Sequence, residues 1–179
     1  MENDIFELGG VHHVALVSSD MARTVDFYTT VLGMPLVKTI ELPGGGQHFF
    51  FDCGNGDCVA FFWFPDAPEA VPGVASASTE PADGLISAVG SMNHLAFTVA
   101  PELFDTYVER LGSLGLETMV LDHDDSPSTI ASELHEGVFV RSVYFRDPDG
   151  VLLEFACWTR ELGADDALDA PADASGERR

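Results

Sequence analysis

His-Val-Ala-Leu at residues 13–16 returns as His-Leu-Ala-Phe at residues 94–97, and each run opens a segment with the same internal order. A strand pattern comes first in both segments. A helical pattern follows and ends at a glycine, Gly33 in the first segment and Gly115 in the second. Because neither half is long enough to bury a stable core alone, the repeat predicts two copies of one unit packed together.

Local signals give each unit the order strand, helix, then three strands. Ser19-Asp20 is typical of a helix start, and the apolar residues after it recur at helical spacing. Asn55-Gly56 and the run 147–150 (Asp-Pro-Asp-Gly) are turn signals between strand-forming runs. The fold class is therefore predicted as α+β, with two βαβββ modules.

The chain divides by composition into five parts. We expect an N-terminal segment over 1–10, a first module over 11–66, and a connector or mobile flap over 67–89 that is rich in Pro, Ala, Ser and Gly. The second module is expected over 90–160, followed by a disordered acidic tail over 161–179.

Charge and hydropathy exclude several classes of function. Among 179 residues, 8 Lys and Arg face 30 Asp and Glu, a net charge of −22, so binding to nucleic acid or to an anionic membrane surface is not expected. The longest apolar run, Val59 to Phe64, is too short to cross a bilayer. An acidic N-terminus and three cysteines without a CxxC motif favour a cytoplasmic protein with free thiols.

Two histidines and one glutamate form a candidate metal site. His13 and His94 begin the repeated strands, and Glu154 interrupts an otherwise apolar closing strand. A carboxylate that faces inward needs a partner, and a metal ion is one such partner. Two His and one carboxylate form the facial triad of non-haem Fe(II) oxygenases. Phe61 is the residue that the repeat places opposite Glu154, so three ligands are predicted rather than four.

Other histidines are weaker candidates for this site. His12 would point to the face opposite His13, and His48 is a reserve ligand. The run 122–125 (Asp-His-Asp-Asp) also clusters metal-ligand types, but such a run is more typical of a solvated loop.

The sequence resembles the vicinal oxygen chelate superfamily, which contains glyoxalases, bleomycin-resistance proteins and extradiol dioxygenases. The likeness is carried by HHVALVSSDMARTVDFYTTVLGMPLV at 12–37, by NHLAFTV at 93–99 and by FRDPDGVLLEF at 145–155. It implies two modules that form an open, U-shaped barrel around a divalent metal.

Within that superfamily, the ligand set His13, His94 and Glu154 is similar to the iron site of type I extradiol dioxygenases. Tyr144 matches an active-site tyrosine of those enzymes and His135 a neighbouring histidine. The resemblance implies an Fe(II)-dependent dioxygenase that chelates a small aromatic substrate of catechol or hydroquinone type beside dioxygen. Mn(II), Ni(II), Co(II) and Zn(II) remain open as the metal.

One departure affects the proton-transfer step. Where ring-cleaving relatives carry an acid–base histidine, this chain has Asp57 and Cys58, so the role is left open among His48, His135, Asp57 or none. Two alternative functions also stay open: a glyoxalase-like metal-dependent lyase or isomerase, and a non-catalytic resistance protein that binds an aromatic drug.

Thirteen phenylalanines favour an aromatic or apolar ligand. We expect some of six aromatic residues to line its pocket: Phe49, Phe51, Phe61, Trp63, Phe139 and Phe145. The resemblance further implies a homodimer, since related two-module chains pair through their sheets or exchange modules.

Overall fold

The first module is built around one four-stranded sheet. The computed structural model describes residues 9–71, 76–77 and 86–178. Within this part, the first module contains β1 (His13–Ser18), α1 (Met21–Asp26), β2 (Leu36–Glu41), β3 (Gln47–Gly54) and β4 (Asp57–Trp63).

The helix of this module begins and ends where the sequence predicts. The Asp20 side chain accepts a hydrogen bond from the backbone N–H of Arg23, which caps the first turn of α1. The helix continues as a π-helical turn over Phe27–Val31. It ends before Gly33, whose φ of 71° lies in the left-handed region that glycine tolerates.

The second module repeats this order. It contains β5 (Leu95–Thr98), α2 (Phe104–Ser113), β6 (Met119–His123), β7 (Val140–Arg146) and β8 (Leu152–Trp158). A 3₁₀ turn at Pro101–Leu103 leads into α2. The structure thus confirms two βαβββ modules of α+β class.

Both sheets have the same topology, with orders β1-β4-β3-β2 and β5-β8-β7-β6. The first strand of each module pairs in parallel with the last, and the other neighbours are antiparallel. The sheets do not close into a barrel. Each therefore keeps one face away from its helix, called here the open face.

The helix-covered faces of the two sheets share one apolar core. Tyr28, Phe51 and Phe61 from the first module belong to the same buried cluster as Phe104 and Phe145 from the second. Burying a large apolar side chain contributes about 1.5–3 kcal/mol, so this shared cluster stabilises both modules together. Because this cluster draws its residues from both modules, each module contributes only part of the core that it packs against.

The connector and the C-terminal segment are described in part. Residues 1–8 of the N-terminal segment, and 72–75 and 78–85 of the connector, lie outside the described residues. Ala77 of the connector is buried against the second sheet. The segment predicted as a disordered tail carries a 3₁₀ turn at Ala164–Ala167, joined to Arg160 through Asp166. No helix in the described part of the chain is long and apolar enough to cross a membrane.

Candidate metal site on the second sheet

The open face of the second sheet carries a group of polar side chains close together. Strand alternation places Glu154 of β8 on this face, and Ala96 of β5 and Tyr144 of β7 lie directly beside it in register. His94 precedes β5 by one residue and reaches Glu154 from the parallel neighbour strand.

Glu154 is buried and paired with His94. Only 5% of Glu154 is exposed, and its Oε2 lies 2.9 Å from Nε2 of His94. Burial raises the pKa of this carboxyl, but hydrogen bonds from His94 and Ser142 and the charges of His94 and His123 outweigh burial, so the net pKa is lowered. Glu154 is therefore held as a carboxylate, the form that binds a metal ion.

Asn93 orients the imidazole of His94. Nδ1 of His94 lies 2.7 Å from Oδ1 of Asn93, and the Asn93 amide nitrogen donates to Ser87 at 3.0 Å. Because Oδ1 only accepts, Nδ1 carries a proton and Nε2 is the nitrogen that faces Glu154. This arrangement, in which an oxygen acceptor fixes the ring through the other nitrogen, is typical of metal-binding histidines.

Tyr144, predicted from the sequence as a site residue, lies beside this pair. Its ring stands perpendicular to that of His94, with 5.6 Å between ring centres. Burial and the nearby Glu154 charge raise the pKa of Tyr144, so the phenol stays protonated at neutral pH and can donate a hydrogen bond.

These side chains line a cavity of about 300 Å³. Its walls are formed by His94, Ala96, Phe97, Thr98, His123, Val140, Ser142, Tyr144, Glu154, Ala156 and Trp158. None of the six aromatic residues predicted as lining is among them. Phe51, Phe61 and Phe145 are buried in the core instead, because they lie on the helix-covered faces of the sheets.

His13 lies on the open face of the other sheet. It is exposed, and its neighbours are His12, whose Nδ1 is 2.8 Å from Nδ1 of His13, and Phe50. His48 is on the same sheet, stacked on Phe62 and hydrogen-bonded to a backbone carbonyl. Among the described residues, no group of three His, Cys, Asp or Glu side chains is arranged to hold a metal ion. Within a single chain, His94 and Glu154 come together and His13 does not join them.

His135, predicted as a catalytic residue, is held by hydrogen bonds in the loop after β6. Its Nδ1 accepts a hydrogen bond from the backbone N–H of Gly137, and its Nε2 donates to Asp124 at 3.1 Å. Both ring nitrogens are therefore used to tie the loop after β6, and His135 does not line the cavity. The spacing in the sequence made His135 a candidate, but only the tertiary contacts show that both of its ring nitrogens are already hydrogen-bonded.

The strand register also corrects the repeat alignment. Ala15 pairs with Ala60 in the first sheet, as Ala96 pairs with Glu154 in the second. The position equivalent to Glu154 is thus Ala60, and Phe61 points into the core, where its ring centre lies 4.9 Å from that of Tyr28. Since alanine cannot bind a metal either, the first module still supplies no carboxylate.

The sequence pattern predicts a solvated loop for residues 122–125, and this is wrong for His123. His123 is the last residue of β6 and lines the cavity, while Asp122 turns to the other face and pairs with Arg141. The position of His123 could have been predicted from the alternation of Met119, Leu121 and His123, which places these three side chains on one face of a strand.

Comparison with known proteins identifies the family. Residues 10–155 match the model of the "Glyoxalase/Bleomycin resistance protein/Dioxygenase superfamily". The uncharacterized protein YwkD of Bacillus subtilis is 28% identical over 148 residues, 82% of this chain and 95% of that protein. The putative ring-cleaving dioxygenase MhqE of Bacillus subtilis is 37% identical over 73 residues, 38% of this chain and 24% of that protein.

Solved structures agree with this match. A glyoxalase family protein from Enterococcus faecalis superposes with a TM-score of 0.58 at 25% identity, covering 83% of this chain and 97% of that one. The fosfomycin resistance protein FosX from Listeria monocytogenes, complexed with Mn(II) and sulfate, shares the fold with a TM-score of 0.51 at 21% identity, over 86% and 95% of the two chains. The chain belongs to the glyoxalase/bleomycin resistance protein/dioxygenase superfamily.

Proposed function

We propose that this chain is a metal-dependent enzyme that oxidises a small aromatic diphenol, with Fe(II) as its metal and dioxygen as its second substrate. The observation that carries the proposal is the buried Glu154 carboxylate, held 2.9 Å from Nε2 of His94 at the floor of a cavity. The partial match to a putative ring-cleaving dioxygenase supports the reaction class.

The donor set fits a divalent metal. The buried carboxylate of Glu154 needs a partner, because an unpaired charge in the interior is costly, and a metal ion bound together with the partly exposed His94 would supply one. His94 is moreover oriented by Asn93 so that Nε2 faces the carboxylate. An imidazole nitrogen and a carboxylate oxygen on adjacent strands are two of the three ligands of a facial triad, which suits Fe(II), Mn(II) or Co(II).

We propose His13 of a second copy of the chain as the third ligand. In the single chain, the side chain of His13 is exposed on the open face of the first sheet and is not part of a three-ligand group among the described residues. A homodimer in which the open face of one copy's first sheet covers the open face of the other copy's second sheet would complete the site. A two-fold axis would form two such sites.

A divalent metal bound there would act as a Lewis acid toward a phenol and leave positions free for both substrates. The protein's own contribution comes from the residues around it. Tyr144 would donate a hydrogen bond to the substrate oxygen next to Glu154, since its phenol stays protonated. Trp158 and Val140 would provide an apolar wall for the substrate ring.

The test is anaerobic purification with elemental analysis, followed by oxygen-electrode assays with catechol and hydroquinone. We expect iron near one atom per chain and oxygen uptake with at least one diphenol. Glu154→Ala should lose both, whereas Glu161→Ala, an exposed glutamate after β8, should keep both. If the metal binds and no diphenol supports oxygen uptake, the dioxygenase proposal is wrong, and a metal-dependent lyase or isomerase of the same fold takes its place.

A further inference from the structure

His123 and Glu154 both line the cavity on the second sheet, and they lie in different rows of the strand register. Glu154 pairs in register with Tyr144, whereas His123 pairs with Val140, four residues earlier on β7. Strands rise by about 3.3 Å per residue, so the two rows are about 13 Å apart along the strand direction. Glu154 and His123 therefore line the cavity from rows that are four residues apart on β7.

One ring nitrogen of His123 contacts the protein backbone, and this contact determines which nitrogen is left to accept a hydrogen bond from a ligand. Nδ1 lies 3.2 Å from the backbone carbonyl oxygen of Thr129. A carbonyl oxygen only accepts hydrogen bonds, so the neutral ring carries its proton on Nδ1. Nε2 then has a free lone pair, and it is the nitrogen left for a ligand in the cavity.

The backbone conformation of the loop after β6 places the Thr129 carbonyl next to His123. Thr129 has a φ of 58°, a left-handed conformation that is uncommon for a residue other than glycine. Its N–H donates to the carbonyl of Ser126 at 2.8 Å, and its own carbonyl is thereby turned toward His123. Backbone strain of this kind is frequent next to functional sites.

The row that contains His123 also offers apolar side chains to a ligand. Trp158 lies directly across from Val140 in register, in the same row as His123, and 56% of Trp158 is exposed. An aromatic ring placed between the Glu154 row and this row would contact Val140 and Trp158 while pointing one substituent at His123.

We infer that His123 recognises the second hydroxyl of the substrate, accepting its hydrogen bond on Nε2 while the first oxygen lies beside His94 and Glu154. This inference rests on the proposed function and adds a substrate class to it. A diphenol with hydroxyls at opposite ends of the ring reaches both ends of the cavity, and one with adjacent hydroxyls reaches only the Glu154 end. The cavity therefore selects hydroquinones over catechols.

Calorimetric titration under anaerobic conditions tests this with two probes, hydroquinone and 4-methoxyphenol. The second probe keeps one hydroxyl for the metal end and has no donor at the other. A hydrogen bond to a neutral group contributes about 0.5–1.5 kcal/mol, so the Fe(II)-loaded protein should bind hydroquinone up to about tenfold more tightly. His123→Ala should remove this preference without changing iron content, and His123→Gln, which keeps an acceptor, should retain part of it.

The matched control is Val120→Ala, an exposed residue on the opposite face of the same strand, which should keep the preference. If His123→Ala fails to fold, His123→Phe carries the same test. The inference is overturned if the preference for hydroquinone survives in His123→Ala or is absent from the unaltered protein. In that case the proposed function still stands, provided that the protein binds iron and the phenols. Failure of the unaltered protein to bind iron and both phenols overturns the two together.

Discussion

The hydroxyl of Tyr28 donates a hydrogen bond of 3.2 Å to the carboxylate of Asp147, which lies 119 residues further along the chain. Both residues are buried. Tyr28 lies in the π-helical turn that continues α1, and Asp147 opens the Asp-Pro-Asp-Gly turn between β7 and β8. Two of the stretches that carry the family resemblance, 12–37 and 145–155, thus meet at the junction of the modules. Ser19 and Arg23 reinforce this junction by donating to the same turn.

Asp147 should make stability fall as pH rises from about 4 to 6. Burial raises its pKa from 3.8 to about 6 despite hydrogen bonds from the backbone N–H groups of Val151 and Asp149. The folded state then binds the proton more tightly than the unfolded state, so the stabilisation is complete below pH 3.8 and is lost as pH passes about 6. The difference between these pKa values corresponds to about 3 kcal/mol.

Urea unfolding between pH 4 and 7 measures this effect as a difference between Asp147→Asn and the unaltered protein. The unaltered protein should lose stability relative to the variant over this interval. Asp169→Asn, at an exposed position near the C-terminus, is the control and should not show the change. A constant difference between Asp147→Asn and the unaltered protein across the interval would contradict the prediction.

Tyr28→Phe should destabilise the protein by about 1–3 kcal/mol, because one oxygen of the buried Asp147 carboxyl loses its hydrogen-bond partner. The loss should be smaller when Asp147 is already replaced by Asn, since the two side chains act as a pair. A double-mutant cycle by urea unfolding gives the coupling free energy. Additive effects of the two substitutions would show that the contact does not join the modules.

Mixing two inactive variants should restore activity if the metal site is shared between copies. His13→Ala and Glu154→Ala each break both sites of a homodimer. In a mixed dimer one site has lost both ligands and the other is intact. Random reassociation of equal amounts should therefore restore about a quarter of the sites.

Oxygen uptake and iron content before and after subunit exchange measure this recovery. Co-expression of the two variants with different affinity tags provides the mixed dimer directly. The absence of any recovery in the isolated mixed dimer would place all three ligands within one chain or exclude His13 from the site.

Tyr144→Phe should lower kcat on the order of a hundredfold while the protein keeps its metal, because a single preorganised donor beside the reacting oxygen is lost. Elemental analysis and steady-state kinetics separate the two effects. Tyr107→Phe, on α2 and away from the cavity, should retain the kcat of the unaltered protein. Loss of iron from Tyr144→Phe would assign the phenol to metal retention instead.

The repeat and the motif spacing were sufficient to predict the order of elements. Alternation along β1 and β5, helical spacing after Asp20 and the turn at Asp147 are local signals that neighbouring residues carry together. His94, Tyr144 and Glu154 could be placed at one site because a parallel pair joins the first strand of a module to its last. The position of His123 was missed because β6 is a short strand whose end reads as a polar loop.

The sequence by itself determined two modules, their secondary structure and a set of candidate site residues, because these depend on side-chain type and periodicity over a few residues. Only the tertiary structure decided the register that aligns Ala60 with Glu154, the contacts that occupy His135 and the separation of His13 from His94. A shift of one residue between paired strands reverses which face a side chain occupies, and local sequence does not set that pairing. Long-range packing therefore selected, from several plausible histidines, those that share the cavity.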